Sequence, residues 1–227
     1  MKQLFYKELK LCVPVQVPLF FLFALMLFIP GYPYLVATFF TCNSIFYMFN
    51  QSVANGDLLF STLLPVSKAD VVKARVLSVV TIEGIMFLLL VPMIFLNHRL
   101  APTGNPAGTD GSLTLLAAAL ILFTVFNAVF IPAFYRDEHK AGRNFLISTL
   151  SVFGWIVLWE GFMITSAAAR AQAPLFAWVA ENLDRFPTTA GAWTVQIAAL
   201  AVAALIYGAG TALACRRAVG IFERVDL

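Results

Sequence analysis

What most constrains this chain is the gathering of its apolar residues into six long blocks, roughly residues 11–29, 33–50, 76–96, 113–135, 144–166 and 191–214. A helix rises ~1.5 Å per residue, so ~20 apolar residues cross a ~30 Å hydrocarbon core. Inside lipid every backbone N–H and C=O needs a partner within the protein, which makes helices the default. Charged residues make up 12% of the chain, half the ~25% of an ordinary soluble domain. The expected fold class is therefore an all-α membrane protein: six transmembrane helices in one domain over residues 1–227, with no separate soluble domain.

Lysine and arginine orient those blocks. The N-terminus carries Lys2, Lys7 and Lys10, and the second-to-third connection carries Lys68, Lys73 and Arg75. Arg136, Lys140 and Arg143 follow the fourth block, and Arg216, Arg217 and Arg224 follow the sixth. These four segments lie on one side of a six-span arrangement and hold twelve of the fifteen basic residues. Only Arg99, Arg170 and Arg185 fall on the other side. The positive-inside rule then places both termini in the cytosol. Five spans or seven would spoil the split. Net charge is only +3, so no bulk attraction to nucleic acid is implied.

The first block follows a basic stretch, as in a secretory signal. Its ~19 residues exceed the ~7–15 of a signal core, and no small-x-small cleavage site follows. It reads as an uncleaved membrane helix, with a bend expected near Pro14 and Pro18. Pro30, Gly31, Tyr32 and Pro33 join it to the second block in a tight hairpin. Residues 97–112 read as an ordinary outer loop. Within 167–191, Pro174 can open a short amphipathic helix that carries Trp178 at the outer leaflet; a solvated loop with one helical turn is the alternative. Residues 1–11 are amphipathic and read as a helix along the cytosolic surface.

Catalytic motifs are missing. There is no Gly-Lys pair, so the phosphate-cradling G-x-x-x-x-G-K-[ST] loop cannot form. No H-E-x-x-H metal site or G-x-S-x-G elbow occurs, and His98 and His139 fall on opposite sides of the membrane. Cys12, Cys42 and Cys215 have no metal-ligand spacing. They read as buried free thiols, with acylation of Cys12 or Cys215 as the alternative. The chain is not expected to be an enzyme, to hold a metal or to hydrolyse ATP itself.

Two acids and two mid-span amides stand out within the blocks. An acid in a membrane centre costs a few kcal/mol, so Glu83 and Glu160 should face protein or water. Glu83 is read either as hydrogen-bonding a neighbouring helix or as reaching toward cytosolic water. Glu160 is placed near the outer end, beside Trp155 and Trp159. Both could instead line a substrate path. Asn43 and Asn127 read as interhelical hydrogen-bonding amides.

Residues 55–75, NGDLLFSTLLPVSKADVVKAR, are the one substantial amphipathic island. Asn55, Gly56 and Asp57 end one helix and can cap the next. Leu58, Leu59, Phe60, Leu63 and Leu64 form a short apolar face, and Pro65 breaks it. Ser67 to Asp70 then reads as a capping-box start, S-x-x-D, for the helix entering the third block. A partner-binding element and a bare interfacial linker fit this pattern equally well.

The F-x-K-E-L-K element at residues 5–10, the tight first hairpin and the island with its L-P-V-S-K core together resemble permease subunits of type-2 ABC exporters. The likeness extends to the small six-helix branch of phenol-soluble modulin exporter permeases. It implies a second permease subunit, in a homodimer or heterodimer, and a separate ABC ATPase that binds ATP and magnesium. It also implies a coupling helix at residues 57–64, extending to Lys68, in which Asp57, Leu58, Leu59, Phe60, Leu63, Leu64 and Lys68 meet the ATPase. A connecting helix at residues 2–10 would use Phe5, Lys7, Glu8 and Lys10. The branch exports amphipathic or antimicrobial peptides from the bacterial plasma membrane; other branches move lipids or drugs. An apolar, phenylalanine-lined path is expected. The rival reading is an ATP-independent secondary transporter or a membrane assembly scaffold, but a secondary transporter needs broken central helices or several buried ionisable groups.

Overall fold

The computed structural model describes residues 2–29, 31–100 and 104–224. Pro30 of the expected first turn, residues 101–103 of the expected outer loop, Met1 and residues 225–227 lie outside them. Every described element is helical. α1 (Lys2–Lys7) widens into a π turn over Glu8–Cys12, and α2 (Gln16–Phe20) continues as a 3-10 helix over Phe21–Phe28. α3 (Tyr34–Ala54), α4 (Asp57–Thr62), α5 (Lys68–Leu100) and α6 (Leu113–Arg136) follow. A turn at Glu138–Lys140 leads to α7 (Ala141–Ala168). α8 (Pro174–Val179), with a π turn over Ala180–Asp184, precedes α9 (Ala190–Phe222).

Among the described residues, four helical stretches are long and apolar enough to cross a membrane: α5, α6, α7 with its leading turn, and α9. The N-terminal pair makes a fifth if Lys2–Cys12 and Gln16–Phe28 count as one span, though they meet at 78°. The first apolar block is thus not one straight helix. The break falls at residues 13–15, where Pro14 disfavours helical backbone for its predecessor; Val13 is extended, at φ −85° and ψ 104°. After the break, 3-10 winding stretches the chain to ~2.0 Å per residue. Gln16–Phe28 still reaches only roughly 24 Å, short of a ~30 Å core.

The second block also departs from expectation. α3 has 21 residues, enough for ~31 Å, yet it is not among the apolar four. It carries Thr38, Thr41, Asn43, Ser44, Asn50, Gln51 and Ser52, and four of these are buried. A helix packed among other helices can be this polar, because neighbours and its own backbone satisfy its side chains. Thr38 and Ser44 donate to the carbonyls of Leu35 and Thr41.

α6 is the central helix, buried along most of its apolar length, whereas α7 and α9 show most of theirs to the surroundings. Phe46, Phe49, Phe126, Phe130, Phe134 and Phe145 interlock around it, with Phe46 and Phe145 stacked at 4.2 Å. These rings belong to the packed core. Small residues let α9 lie close to α6, and a Cβ added at Gly210 would overlap the Thr124 methyl. Exposed Leu88, Leu158 and Leu205 form the outward apolar faces of α5, α7 and α9.

The connections gather at two ends. At one, Lys7 meets Asp57, Lys68 lies over Phe222, and Phe222 packs on Tyr135. This end unites the N-terminus, α4, the start of α5 and the ends of α6 and α9, the segments rich in Lys and Arg. At the other, Asn105 bonds to the Tyr32 carbonyl, Thr109 to Glu160 and Asp110 to Asp184.

Candidate functional site

The polar centre of the basic end is built around Arg75, which is 0% exposed. Its Nε donates to Glu8 Oε2 at 2.8 Å and its second amino group to Glu8 Oε1 at 3.2 Å. The same amino group donates to Asp57 Oδ2 and approaches Cys12 Sγ at 3.7 Å. The guanidinium lies 5.6 Å from the Phe49 ring centre. Lys7 Nζ completes the group, donating to Asp57 Oδ1 at 2.8 Å and to Ser61 Oγ at 2.6 Å, and pairing with Glu8 at 3.1 Å. Two acids thus face two bases. Burial alone would raise the Asp57 pKa, but the Lys7 hydrogen bond and the Arg75 charge outweigh it and hold the carboxyl below its ordinary value.

This cluster ties three chain segments together: the π turn after α1, the first turn of α4 and the first turns of α5. Gly56 makes the approach possible. It adopts φ +61°, a conformation that costs glycine little, and turns the chain from α3 into α4. Asp57, expected to cap a helix, does not cap; its carboxylate goes to Lys7 and Arg75. The capping reading holds at Ser67, whose Oγ accepts the Asp70 N–H at 3.1 Å. Arg75 had entered the sequence reading only as a topology charge. The i, i+1 acid and base at Lys7 and Glu8 gave no sign that both would be enclosed.

α4 presents two faces. Leu58 and Ser61 point into the protein and are buried, while Leu59, Phe60 and Leu63 are 55%, 54% and 77% exposed. Leu64 is half-buried. The apolar face expected from Leu58 to Leu64 is therefore divided, with an outward tip of three large side chains on a helix pinned by Asp57. Lys68 lies 5.6 Å from the Phe222 ring centre. Phe5 is half-buried, and Lys10 is exposed over the Tyr6 ring at 5.7 Å.

Glu83 lies deeper and is buried. Its Oε2 accepts from Tyr207 at 2.5 Å and from Asn127 Nδ2 at 3.2 Å, and Asn127 Nδ2 also reaches Thr211 Oγ1 at 3.3 Å. α5, α6 and α9 are joined there. Glu83 Oε1 and Asn127 Oδ1 have no donor among the described residues. Asn43 differs, being half-buried with no hydrogen bond to another helix among those residues.

Glu160 fastens the opposite end. Its Oε2 accepts the Thr109 N–H at 2.6 Å and the Thr109 hydroxyl at 2.9 Å, while Trp159 donates to that hydroxyl at 2.9 Å. Gly108 lets the loop close on it: φ is +142° and a Cβ would overlap the Glu160 carboxylate. Asn97, expected in a loop, is buried within α5 and donates to the Leu27 carbonyl at 2.5 Å. Gln196, which drew no notice in the sequence, accepts the Leu113 N–H at 3.1 Å and donates to the carbonyls of Asn182 and Arg185 at 3.1 and 2.8 Å. A single amide in an apolar block gives no sign that it joins three segments. Pro174 begins α8 as expected, with Trp178 exposed. Beside it burial raises the Asp110 pKa, and burial pushes the Asp184 carboxyl up to about 6.

Among the described residues Glu8, Cys12 and Asp57 could gather around a metal. The Arg75 amino group contacts all three, so a cation already occupies their common point. The three cysteines are free thiols. In comparison with known proteins, the model of a family described as ABC-2 family transporter protein matches residues 3–216. No curated protein and no solved structure matches the chain.

Proposed function

Because the chain belongs to the ABC-2 transporter family, of which it supplies the membrane-spanning permease component, we propose that it couples to a separate ATPase through α4. The carrying observation is the outward apolar tip of Leu59, Phe60 and Leu63 on a helix pinned by buried ion pairs. Three large apolar side chains at a polar end seek a partner surface. A groove on the ATPase would receive them, with Leu64 and Lys68 at the margin.

In this reading the basic end is cytosolic, both termini lie there, and six membrane segments include the broken first and the polar α3. ATP and magnesium bind the partner. ATP-driven closure of the ATPase pair displaces α4. Asp57 cannot move without Arg75, and Arg75 cannot move without Glu8, so the displacement reaches the surface helix α1 and the root of α5 together. α5 carries it to Glu83 and, through Asn127 and Tyr207, to α6 and α9. Two permease subunits, alike or different, enclose the path in the bacterial plasma membrane. Amphipathic peptides are the proposed cargo, with lipids or drugs as the other cargo classes.

The test is co-purification with the ABC ATPase encoded beside it, then ATPase stimulation by a panel of amphipathic peptides and lipids. Leu59→Asp with Leu63→Asp should abolish co-purification and stimulation while the permease remains folded. Normal capture and stimulation by that variant would remove α4 from the coupling role.

A further inference from the structure

The last turns of α6 and α9 enclose a groove of about 520 Å³ at the basic end. Val129, Pro132 and Ile221 contribute an apolar floor, and Arg136, Arg217 and Arg224 stand around it. All three arginines are exposed. Among the described residues none of them pairs with a carboxylate: the ion pairs at this end belong to Lys7, Arg75 and Lys140. Asp137, the neighbour of Arg136, is taken by Lys140.

An exposed arginine is ordinary. Three around one apolar groove are not: Arg136 and Arg217 stand on helices long and apolar enough to cross a membrane, and Arg224 lies just past the end of α9. A guanidinium presents a planar fork of donors that matches phosphate oxygens. The C-terminal ends of α6 and α9 bring about half a negative charge each, which three full positive charges outweigh. A free anion would use the rim and leave the floor bare. A ligand with a phosphate joined to an alkyl chain fits both.

We propose that this groove binds an anionic phospholipid, its phosphate held by Arg136, Arg217 and Arg224 and an acyl chain lying along Val129, Pro132 and Ile221. Basic recesses between transmembrane helices on the positively charged side are suited to anionic headgroups. A soluble protein partner is less well matched, because Val129 and Pro132 of the floor belong to the apolar block of α6. The inference does not depend on docking at α4.

The test uses the detergent-solubilised full chain and native mass spectrometry, titrated with phosphatidylglycerol, phosphatidylcholine or inorganic phosphate. Wild type should retain phosphatidylglycerol in preference to phosphatidylcholine and show no saturable phosphate binding. Arg136→Gln with Arg217→Gln should weaken phosphatidylglycerol binding roughly 30-fold, the attraction expected of two basic residues near an anionic headgroup. Arg99→Gln with Arg170→Gln, at the opposite end, should leave it unchanged. Equal retention of the two lipids, phosphate binding as tight as lipid, or full lipid binding by the groove variant would each overturn the proposal. So would a groove variant that keeps lipid but no longer captures the ATPase, which would make the groove a protein contact.

Discussion

The two ends of this helix bundle are closed by different chemistry. At the basic end, side chains meet side chains as ions: Lys7, Glu8, Asp57 and Arg75 form one nearly neutral cluster. At the opposite end, Asn97, Glu160 and Gln196 bond mainly to backbone groups of loops and neighbouring helices. Backbone bonds fix a loop in one place. An ion cluster joins whole helices through their side chains, so that moving one moves the others. Under the proposed coupling role, the difference suits an end that transmits force and an end that stays shut.

The largest effect should come from leaving the ion cluster unbalanced. Arg75→Ala leaves Glu8 and Asp57 with Lys7 as their one cation, so that one buried negative charge is in excess; breaking a buried pair this way costs ~3–5 kcal/mol. Denaturant melts in micelles should show that loss. Asp57→Asn with Arg75→Met leaves Lys7 paired with Glu8, restores the balance and should recover more than half of it. Recovery of stability without recovery of ATPase stimulation would separate the cluster's coupling role from its structural one. If the double variant is as unstable as Arg75→Ala, the charge argument fails.

At the other end the corresponding break is smaller. Gln196→Leu leaves the Leu113 N–H and two carbonyls without this partner, at ~1–3 kcal/mol. A loss under ~0.5 kcal/mol in the same melt would mean that solvent replaces the amide. Gly108→Ala should cost a similar amount, through backbone strain and overlap with Glu160, on the order of 1–3 kcal/mol.

How much of this contrast was legible depends on the kind of signal. Block length and hydropathy announced α5, α6, α7 and α9, because apolar runs report on lipid directly. The same measure failed for α3, whose buried Thr38 and Ser44 turn back to the helix's own carbonyls. The expected bend near Pro14 appeared because proline acts locally. The turn at Asn55–Asp57 was legible and the partners of Asp57 were not: local rules see its place at the start of α4, while Lys7 and Arg75 arrive from distant parts of the sequence. Asn97 and Gln196 were invisible for the same reason. The apolar island was visible, but its division into buried Leu58 and exposed Leu59 required knowing which side of α4 carries Asp57 and Ser61.

Acidity sharpens the comparison, because the two ends respond with opposite sign. The Asp184 carboxyl is raised to about 6 in the fold, above the ~3.9 of an unfolded aspartate. Its neutral form is the one the fold accepts, so its favourable contribution is full below pH ~4 and is lost as pH rises toward 6. Solvent screening limits this to the order of 1 kcal/mol. Asp184→Asn should flatten that part of the stability profile, and an unchanged slope would remove Asp184 as its source. Asp57 is shifted the other way by Lys7 and Arg75. Its contribution is present above the unfolded pKa and fades only as pH falls through the lowered folded value, below about 3.8.

The smallest stability change should accompany the largest change in partner binding. Leu59 and Leu63 already stand outside the core, so exchanging both for aspartate should alter unfolding by no more than ~0.5 kcal/mol. Leu58, one position away, is 2% exposed; Leu58→Ala should cost ~2–5 kcal/mol if its pocket does not collapse. Adjacent leucines on one short helix would thus separate, one governing stability and its neighbour governing capture of the ATPase. If Leu59→Asp destabilises as much as Leu58→Ala, the tip is part of the packed bundle and the outward face of α4 has been misread.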